Sequence, residues 1–544
     1  MTGTLTDYLR ALPDDALAAL LNRRPDLLTP QPTDLAMLAA RIQSRVSVAR
    51  ALEGLDLFTL EILDAARISR TPDDDGRTSI DAIIGWAAPT DPGAVRAALK
   101  RLEELLIVYG DPDDLHITAA VHEIAPPYPA GLGRPADVLD TDAAALASDP
   151  AGLRRALLAA TPASRAVLDR LAAGPPIGSV APGAIADPES AVGALVARNL
   201  LVAIADDTVE LPREVSLALR RDRLLGTLHP EPPEFPDASR PVKVIDNAGA
   251  GQVMETVRQV DALLVALSDE PAGTLRTGGI GVRDLRRLAR AADIAEPDAA
   301  VLLEVAAAAG LIGESDPGSR PAEPRILPTL AYDQWEAASI ASQWARLARA
   351  WLSMNRQPGL VGRRQGSNAT PAVARRPTAS DRDRPVSVLG PELERTGAPR
   401  LRGAVLGILA DLPPGSTPEV DDILAALHWR APRRSPWQPS NPDPSATEPV
   451  RWMLAEAAQL GIIAVGGLTG YGRLLYNEAI AAALRDPDDD PLGVIGTDTA
   501  AGSPAIAALD KLLPPPVDHM LIQADLSVVV PGPPEPALAA ELSL

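Results

Sequence analysis

The sequence predicts a mainly α-helical α+β protein with small β-hairpins, arranged as tandem winged helix-turn-helix-like modules. Three observations predict it. The 544 residues exceed what one hydrophobic core serves, so about three to five domains are expected. Hydrophobic residues make up 46% of the chain but aromatics only 3%, so the cores are aliphatic and rich in Ala and Leu, which favours helices over sheets. Finally, one pattern recurs four times: an acidic residue, a proline, an apolar helical stretch and an apolar pair.

The first copy runs from Asp91-Pro92 through Val95, Leu99 and Leu102 to Leu106-Ile107. The second runs from Asp187-Pro188 to Leu200-Leu201-Val202, the third from Glu296-Pro297 to Leu311-Ile312, and the fourth from Glu448-Pro449 to Ile462-Ile463. Proline at a first helical position loses nothing, because its missing N–H would be unpaired there. The acidic residue before it is placed to cap the helix and suits the positive end of the dipole. In all four, about four turns of helix separate the proline from the apolar pair.

Hairpins should follow. Leu106 to Tyr109 faces Leu115-His116-Ile117, Leu201 to Ile204 faces Val209-Glu210-Leu211, and Ile462 to Val465 faces Leu474-Leu475-Tyr476 across a glycine-rich turn. The third copy has a long turn and a short second strand at Arg325-Ile326-Leu327. A leucine-rich helix precedes each copy, over 55–66, 166–172, 260–267 and 401–409. The modules are therefore placed near 46–121, 151–222, 252–355 and 400–485, after an N-terminal helical segment over 1–45. Residues 356–399, rich in Arg and Pro, are expected to be a disordered linker.

The chain has no cysteine, which excludes disulfides, thiolate zinc sites and a thiol nucleophile. Its five histidines are scattered, and the closest pair, His116 and His122, does not share a helical face. No metal and no cofactor are expected. The opening MTGTLTDYLRALPDDALAALL lacks a basic region followed by an apolar core. No stretch nears the roughly 20 apolar residues of a membrane span. A soluble, cytoplasmic protein without a membrane partner is expected.

The net charge of −21 argues against tight nonspecific wrapping of DNA, but phosphate contact depends on local clusters. In a winged helix-turn-helix the helix before the hairpin reads the groove. In the first module that helix carries Arg96, Lys100 and Arg101 on one side. The second offers only Arg198 and Asn199, the third no cation, and the fourth Arg451 beside Glu456. One helix earlier, the third module has Arg283, Arg286, Arg287 and Arg290 in a single stripe. These seven cations, Arg96, Lys100, Arg101, Arg283, Arg286, Arg287 and Arg290, are the candidate nucleic-acid-binding residues. A solvated or ion-paired face is the competing reading. The segment 361–402, with nine arginines against four acids, and Arg430, Arg433 and Arg434 could attract nucleic acid or simply be solvated.

Catalytic motifs are missing. None of the three lysines follows a glycine, so there is no GxxxxGK[ST] phosphate loop. Neither GxGxxG, GxSxG nor HExxH occurs. The chain is expected not to be an enzyme.

The string Asp518-His519-Met520-Leu521-Ile522-Gln523-Ala524-Asp525-Leu526-Ser527-Val528-Val529-Val530-Pro531 resembles the opening of the XPB/Ssl2-like helicase N-terminal domain, where an (I/V)QxDLxVxxP strand is typical. Asn22-Arg23-Arg24-Pro25-Asp26-Leu27-Leu28 and Leu38-Ala39-Ala40-Arg41 are similar to actinobacterial helicase-associated proteins that carry that domain. The resemblance implies a helicase-associated accessory protein in DNA repair or processing, with duplex or forked DNA and a helicase or repair protein as partners. Residues 517–544 would then be an incomplete start of that domain, in a chain that looks truncated. A protein–protein scaffold whose winged helices do not bind DNA is the alternative.

Overall fold

Short polar caps and leucine-rich faces divide the chain into many brief helices, and glycine or acidic turns join the few strands. The structure is a computed structural model. It describes residues 4–70, 77–221, 223–315, 324–364, 385–435, 437, 444–483, 502–525 and 527–532, with 535, 538, 541 and 542 beyond. The fold is mainly helical with antiparallel sheets of two or three strands. Two compact units result: residues 1–233 with 428–436, and residues 234–427 with 437–544.

The first unit opens with α1 (Leu5–Ala11), α2 (Asp14–Arg23), α3 (Leu35–Ile42) and α4 (Arg45–Glu53). Next come α5 (Leu57–Ile68), α6 (Ile80–Ala87), α7 (Pro92–Glu104) and the hairpin β1 (Val108–Asp111) with β2 (Asp114–Ile117). Thr78 pairs with Leu115 and so adds a one-residue third strand beside β2. The N-terminal helices, expected as a separate segment, share a core with Leu106: Leu5, Leu9, Leu27 and Ile42 bury against it. Buried Arg24 fastens this join by donating to the Leu105 carbonyl (2.8 Å) and the Ser47 hydroxyl (2.6 Å).

Short helices α8 (Val121–Ile124), α9 (Ala136–Leu139), α10 (Thr141–Ala147) and α11 (Pro150–Leu158) lead to the second copy. It comprises α12 (Pro162–Ala172), β3 (Ile177–Ser179), α13 (Ala191–Val196), β4 (Val202–Ala205) and β5 (Thr208–Glu210), closed by α14 (Arg213–Arg220). The sheet order is β3-β5-β4.

The second unit is built on α15 (Val242–Asp269), far longer than the 260–267 helix expected. After it come β6 (Ala272–Gly273), α16 (Val282–Ala291), α17 (Glu296–Ala308), β7 (Ile312–Glu314) and β8 (Arg325–Pro328). The sheet order β6-β8-β7 repeats that of the second copy. Then follow α18 (Leu330–Glu336), α19 (Ile340–Ser353), α20 (Ala398–Asp411), α21 (Val420–Arg430), α22 (Pro444–Gln459), β9 (Ile463–Ala464) and β10 (Gly467–Leu468). The unit continues through α23 (Gly470–Ala483), α24 (Pro504–Asp510), β11 (Leu521–Ile522) and β12 (Val528–Val529). One large core joins α15, α17, α19, α20, α22 and α24.

Three expectations are corrected. First, only one of the four acidic residues caps as read. Asp91 accepts from the Ala94 N–H (3.0 Å), whereas Ser190 caps α13 (2.8 Å to the Gly193 N–H). Glu296 lies inside α17, and Pro449 lies inside α22. Glutamate is a poorer cap than Asp or Ser, and both glutamates pair with arginines instead: Arg286 (2.9 Å) and Arg363 (2.7 Å).

Second, the fourth hairpin turns earlier than expected. Val465 and Gly466, at φ +51° and +84°, make a two-residue turn of the kind that demands positive φ twice. The return strand is therefore Gly467–Leu468, and Leu474-Leu475-Tyr476 belongs to α23. Thr469 starts that helix by accepting from the Gly472 N–H (3.1 Å).

Third, the flanks of the expected disordered linker are folded. Val388 and Leu393 are buried in the second unit, and Ile280 N–H donates to the Val388 carbonyl (2.8 Å). Residues 365–384 lie outside the described residues. The C-terminal string is a hairpin rather than one strand, with Ile522 opposite Val528 and the Asp525 carboxylate accepting from the Ser527 N–H (3.0 Å).

Candidate nucleic-acid interface

In α7 the cap at Asp91 and the proline at Pro92 fix where the helix begins, and so which residues face inward. Val95, Ala98, Leu99 and Leu102 enter the core. Arg96 and Lys100, one turn apart, are exposed and have no carboxylate within 4.0 Å among the described residues. Arg101 is different. Its guanidinium pairs with Asp56, whose carboxylate also caps α5 through the Thr59 N–H (2.7 Å). The neighbouring hairpin tip, Asp111-Pro112-Asp113-Asp114, is acidic, and only Asp114 is matched by a cation, Arg77 (3.2 Å). A phosphate backbone on α7 would meet two exposed cations and an opposing tip.

The arginine stripe of α16 also separates into two kinds. Leu285 and Leu288 bury as the spacing required. Arg283 and Arg290 are exposed and have no carboxylate within 4.0 Å among the described residues. Arg286 pairs with Glu296 (2.9 Å). Arg287 serves the end of α15, donating to the Ala266 (3.2 Å) and Glu270 (2.7 Å) carbonyls and pairing with Asp284 (3.3 Å). Four of the seven candidates, Arg96, Lys100, Arg283 and Arg290, therefore have no ion pair within 4.0 Å among the described residues, although Lys100 acts electrostatically on Glu103. The first two lie in one unit and the last two in the other.

The helices that precede the hairpins of the second unit are more buried than α7. Ala299, Ala300, Leu302, Leu303, Val305 and Ala306 of α17 are all buried. Glu304 among them is fully buried and pairs with Arg356 while accepting the Leu389 N–H. Burial pushes the Glu304 carboxyl up, and the Arg356 guanidinium opposes this. One side of α22, at Trp452, is covered, whereas Arg451, Ala455 and Ala458 are exposed. Arg363 lies 4.5 Å over the Trp452 ring, and Gly359 sits where a Cβ would strike that ring. Two of the other arginines read as attractive to nucleic acid, Arg433 and Arg434, have partners within the chain. Arg433 donates to the Ile124 carbonyl (3.2 Å), and Arg434 lies 3.8 Å from Glu53.

Sequence reasoning missed a buried ionic network. Glu456 accepts from the Trp351 indole N–H (2.8 Å) and from Arg402 (3.2 Å), and Arg402 also holds the Met354 (2.6 Å) and Arg356 (2.7 Å) carbonyls. Burial pushes the Glu456 carboxyl up and the Arg402 guanidinium down, each countered by the other. The pair forms one wall of a cavity of about 330 Å³ bordered by Arg395, Leu401, Pro449 and Met453. Raised carboxylates beside a cavity invite an acid–base reading. Here both Glu304 and Glu456 are already committed to guanidinium and N–H partners that hold residues near 354–356 and 389–390 in place. The signal available was a lone ion inside an apolar helical run, as in Val301-Leu302-Leu303-Glu304-Val305. Among the described residues, no group of His, Cys, Asp and Glu is placed to hold a metal, and no helix is long and apolar enough to cross a membrane. Compared with protein-family models, curated proteins and solved structures, the chain matches none.

Proposed function

We propose that this chain is a non-catalytic scaffold of four winged-helix modules that works by protein–protein contact, with DNA contact confined to the first module. The sheet order first-last-middle, shared by the second and third copies, and the helix that precedes each hairpin support the winged-helix reading. The observation that carries the scaffold is the burial of α17. A recognition helix must offer side chains to a groove, and α17 offers most of its own to the core. The likeness of both chain ends to helicase-associated proteins makes a helicase or repair protein the partner class. Such a partner implies work in the cytoplasm.

A pull-down with the full chain after nuclease treatment tests this. Recovery of a helicase or repair protein supports the scaffold, and recovery only when DNA is intact overturns it. A second reading, DNA binding, is favoured by the exposed Arg96 and Lys100. Fluorescence anisotropy with duplex and forked DNA checks it, and no binding at low salt removes it.

A further inference from the structure

We infer that the groove between the end of α15, the β7–β8 hairpin and the start of α18 is a docking site for a partner-protein peptide carrying arginine or lysine beside leucine-like side chains. The groove encloses about 580 Å³ and is lined by Glu314, Leu327, Pro328, Leu330, Tyr332 and Asp333 among others. Leu330 is 86% exposed, although it is only the first residue of α18, where Thr329 caps (3.2 Å to the Ala331 N–H) and a polar residue would serve as well. Nothing in the fold uses its side chain. Val265, on the last turns of α15, is likewise exposed.

Among the described residues, carboxylates outnumber cations around these apolar side chains. Glu314, Asp333, Glu336, Asp261 and Asp269 have no cation within 4.0 Å among the described residues. Asp261 instead accepts the Tyr332 hydroxyl (2.8 Å). Burial together with Asp261, Glu336 and Asp333 pushes the Tyr332 phenol up, and burial with Asp261 and Asp333 pushes the Glu336 carboxyl up. Arg325 on β8 is occupied at the Pro271 carbonyl (3.3 Å). These carboxylates do not gather closely enough to hold a metal, and they would repel a phosphate backbone. A peptide that neutralises them while covering Leu330 fits both features, since complementary charge sets partner and register while apolar burial holds it. The same occupant follows from the scaffold reading, on which this inference rests.

The test uses the full chain and a fluorescein-labelled peptide of alternating leucine and arginine, read by anisotropy at about 0.15 M salt. Binding should weaken about tenfold in Leu330→Ser and in Glu314→Gln/Asp333→Asn. It should change less than about twofold in Asp206→Asn/Asp207→Asn, which removes equal charge from an exposed hairpin of the first unit. No binding by the unaltered chain, unchanged affinity in Leu330→Ser, or equal loss in the Asp206/Asp207 variant would overturn the inference. Leu330 is too exposed for its replacement to unfold the chain. Capture of one helicase or repair protein equally by the unaltered and Leu330→Ser chains would keep the scaffold and sink this groove.

Discussion

Helices α7 and α17 occupy the same place in their modules and have the same length, 13 residues, yet one is a surface and the other a core. In α7 four apolar residues turn inward while Arg96, Ala97 and Lys100 remain exposed. In α17 every position after Asp298 is apolar except Glu304, which is held by Arg356. A helix apolar all round belongs inside a larger assembly of helices. The repeat therefore preserves local order and not exposure, and exposure is what groove reading needs.

The sharpest way to break this comparison is to place the same side chain on both helices. Ala306→Arg in α17 should cost at least ~3 kcal/mol through overpacking and an unpaired buried charge. Ala97→Arg in α7 should stay within ~0.5 kcal/mol. Urea unfolding followed by circular dichroism reads both, and equal effects would dissolve the distinction. Close behind comes the buried network, where Glu456→Ala should cost about 3–5 kcal/mol by stranding Arg402, measured as a lowered urea midpoint.

A third comparison concerns the two kinds of arginine. Arg96→Ala with Lys100→Ala should lower the slope of log affinity against log salt for duplex DNA by about 2. Arg287→Ala should leave that slope alone and cost about 1 kcal/mol, because the last carbonyls of α15 lose their donor. The smallest effect belongs to pH, because His122 is exposed and solvent screens its ring. Partial desolvation, with Arg70 and Arg67, pushes that ring down to about 4. The neutral ring is then the form the folded chain favours, and the unfolded chain binds the extra proton first. Stability from this group is complete above pH 6.5 and is lost as pH falls from 6.5 towards 4. His122→Gln should flatten thermal stability across that window, and an unchanged slope would dismiss the role of His122.

Much of the order was legible. The four long helices ahead of the repeats, the first two hairpins and the inward set Val95, Leu99 and Leu102 follow from periodicity, which reports which face of an element is apolar. The capping pattern was legible only at Asp91, because glutamate and a following proline also fit inside a helix's first turns, as at Glu296. The folded flanks at 354–364 and 385–397 were not legible. Their buried residues Val386, Val388 and Leu393 have no period, and their stability lies in pairings such as Arg356 with Glu304, 52 positions apart.

By itself the sequence determined a helical chain of helix–hairpin order, with no thiol chemistry and a cation-bearing α7. These follow from composition and from contacts within a few residues. The purely aliphatic cores it predicted are corrected by Trp335, Trp344 and Trp351, which are buried in the second unit. Only the tertiary structure decided that α17 is largely interior, that Arg286 and Arg287 have partners within the chain, and that Arg402 and Glu456 share a buried bond. Each of those depends on groups brought together from distant positions. Whether a charge is free or spent is a property of its neighbours in space.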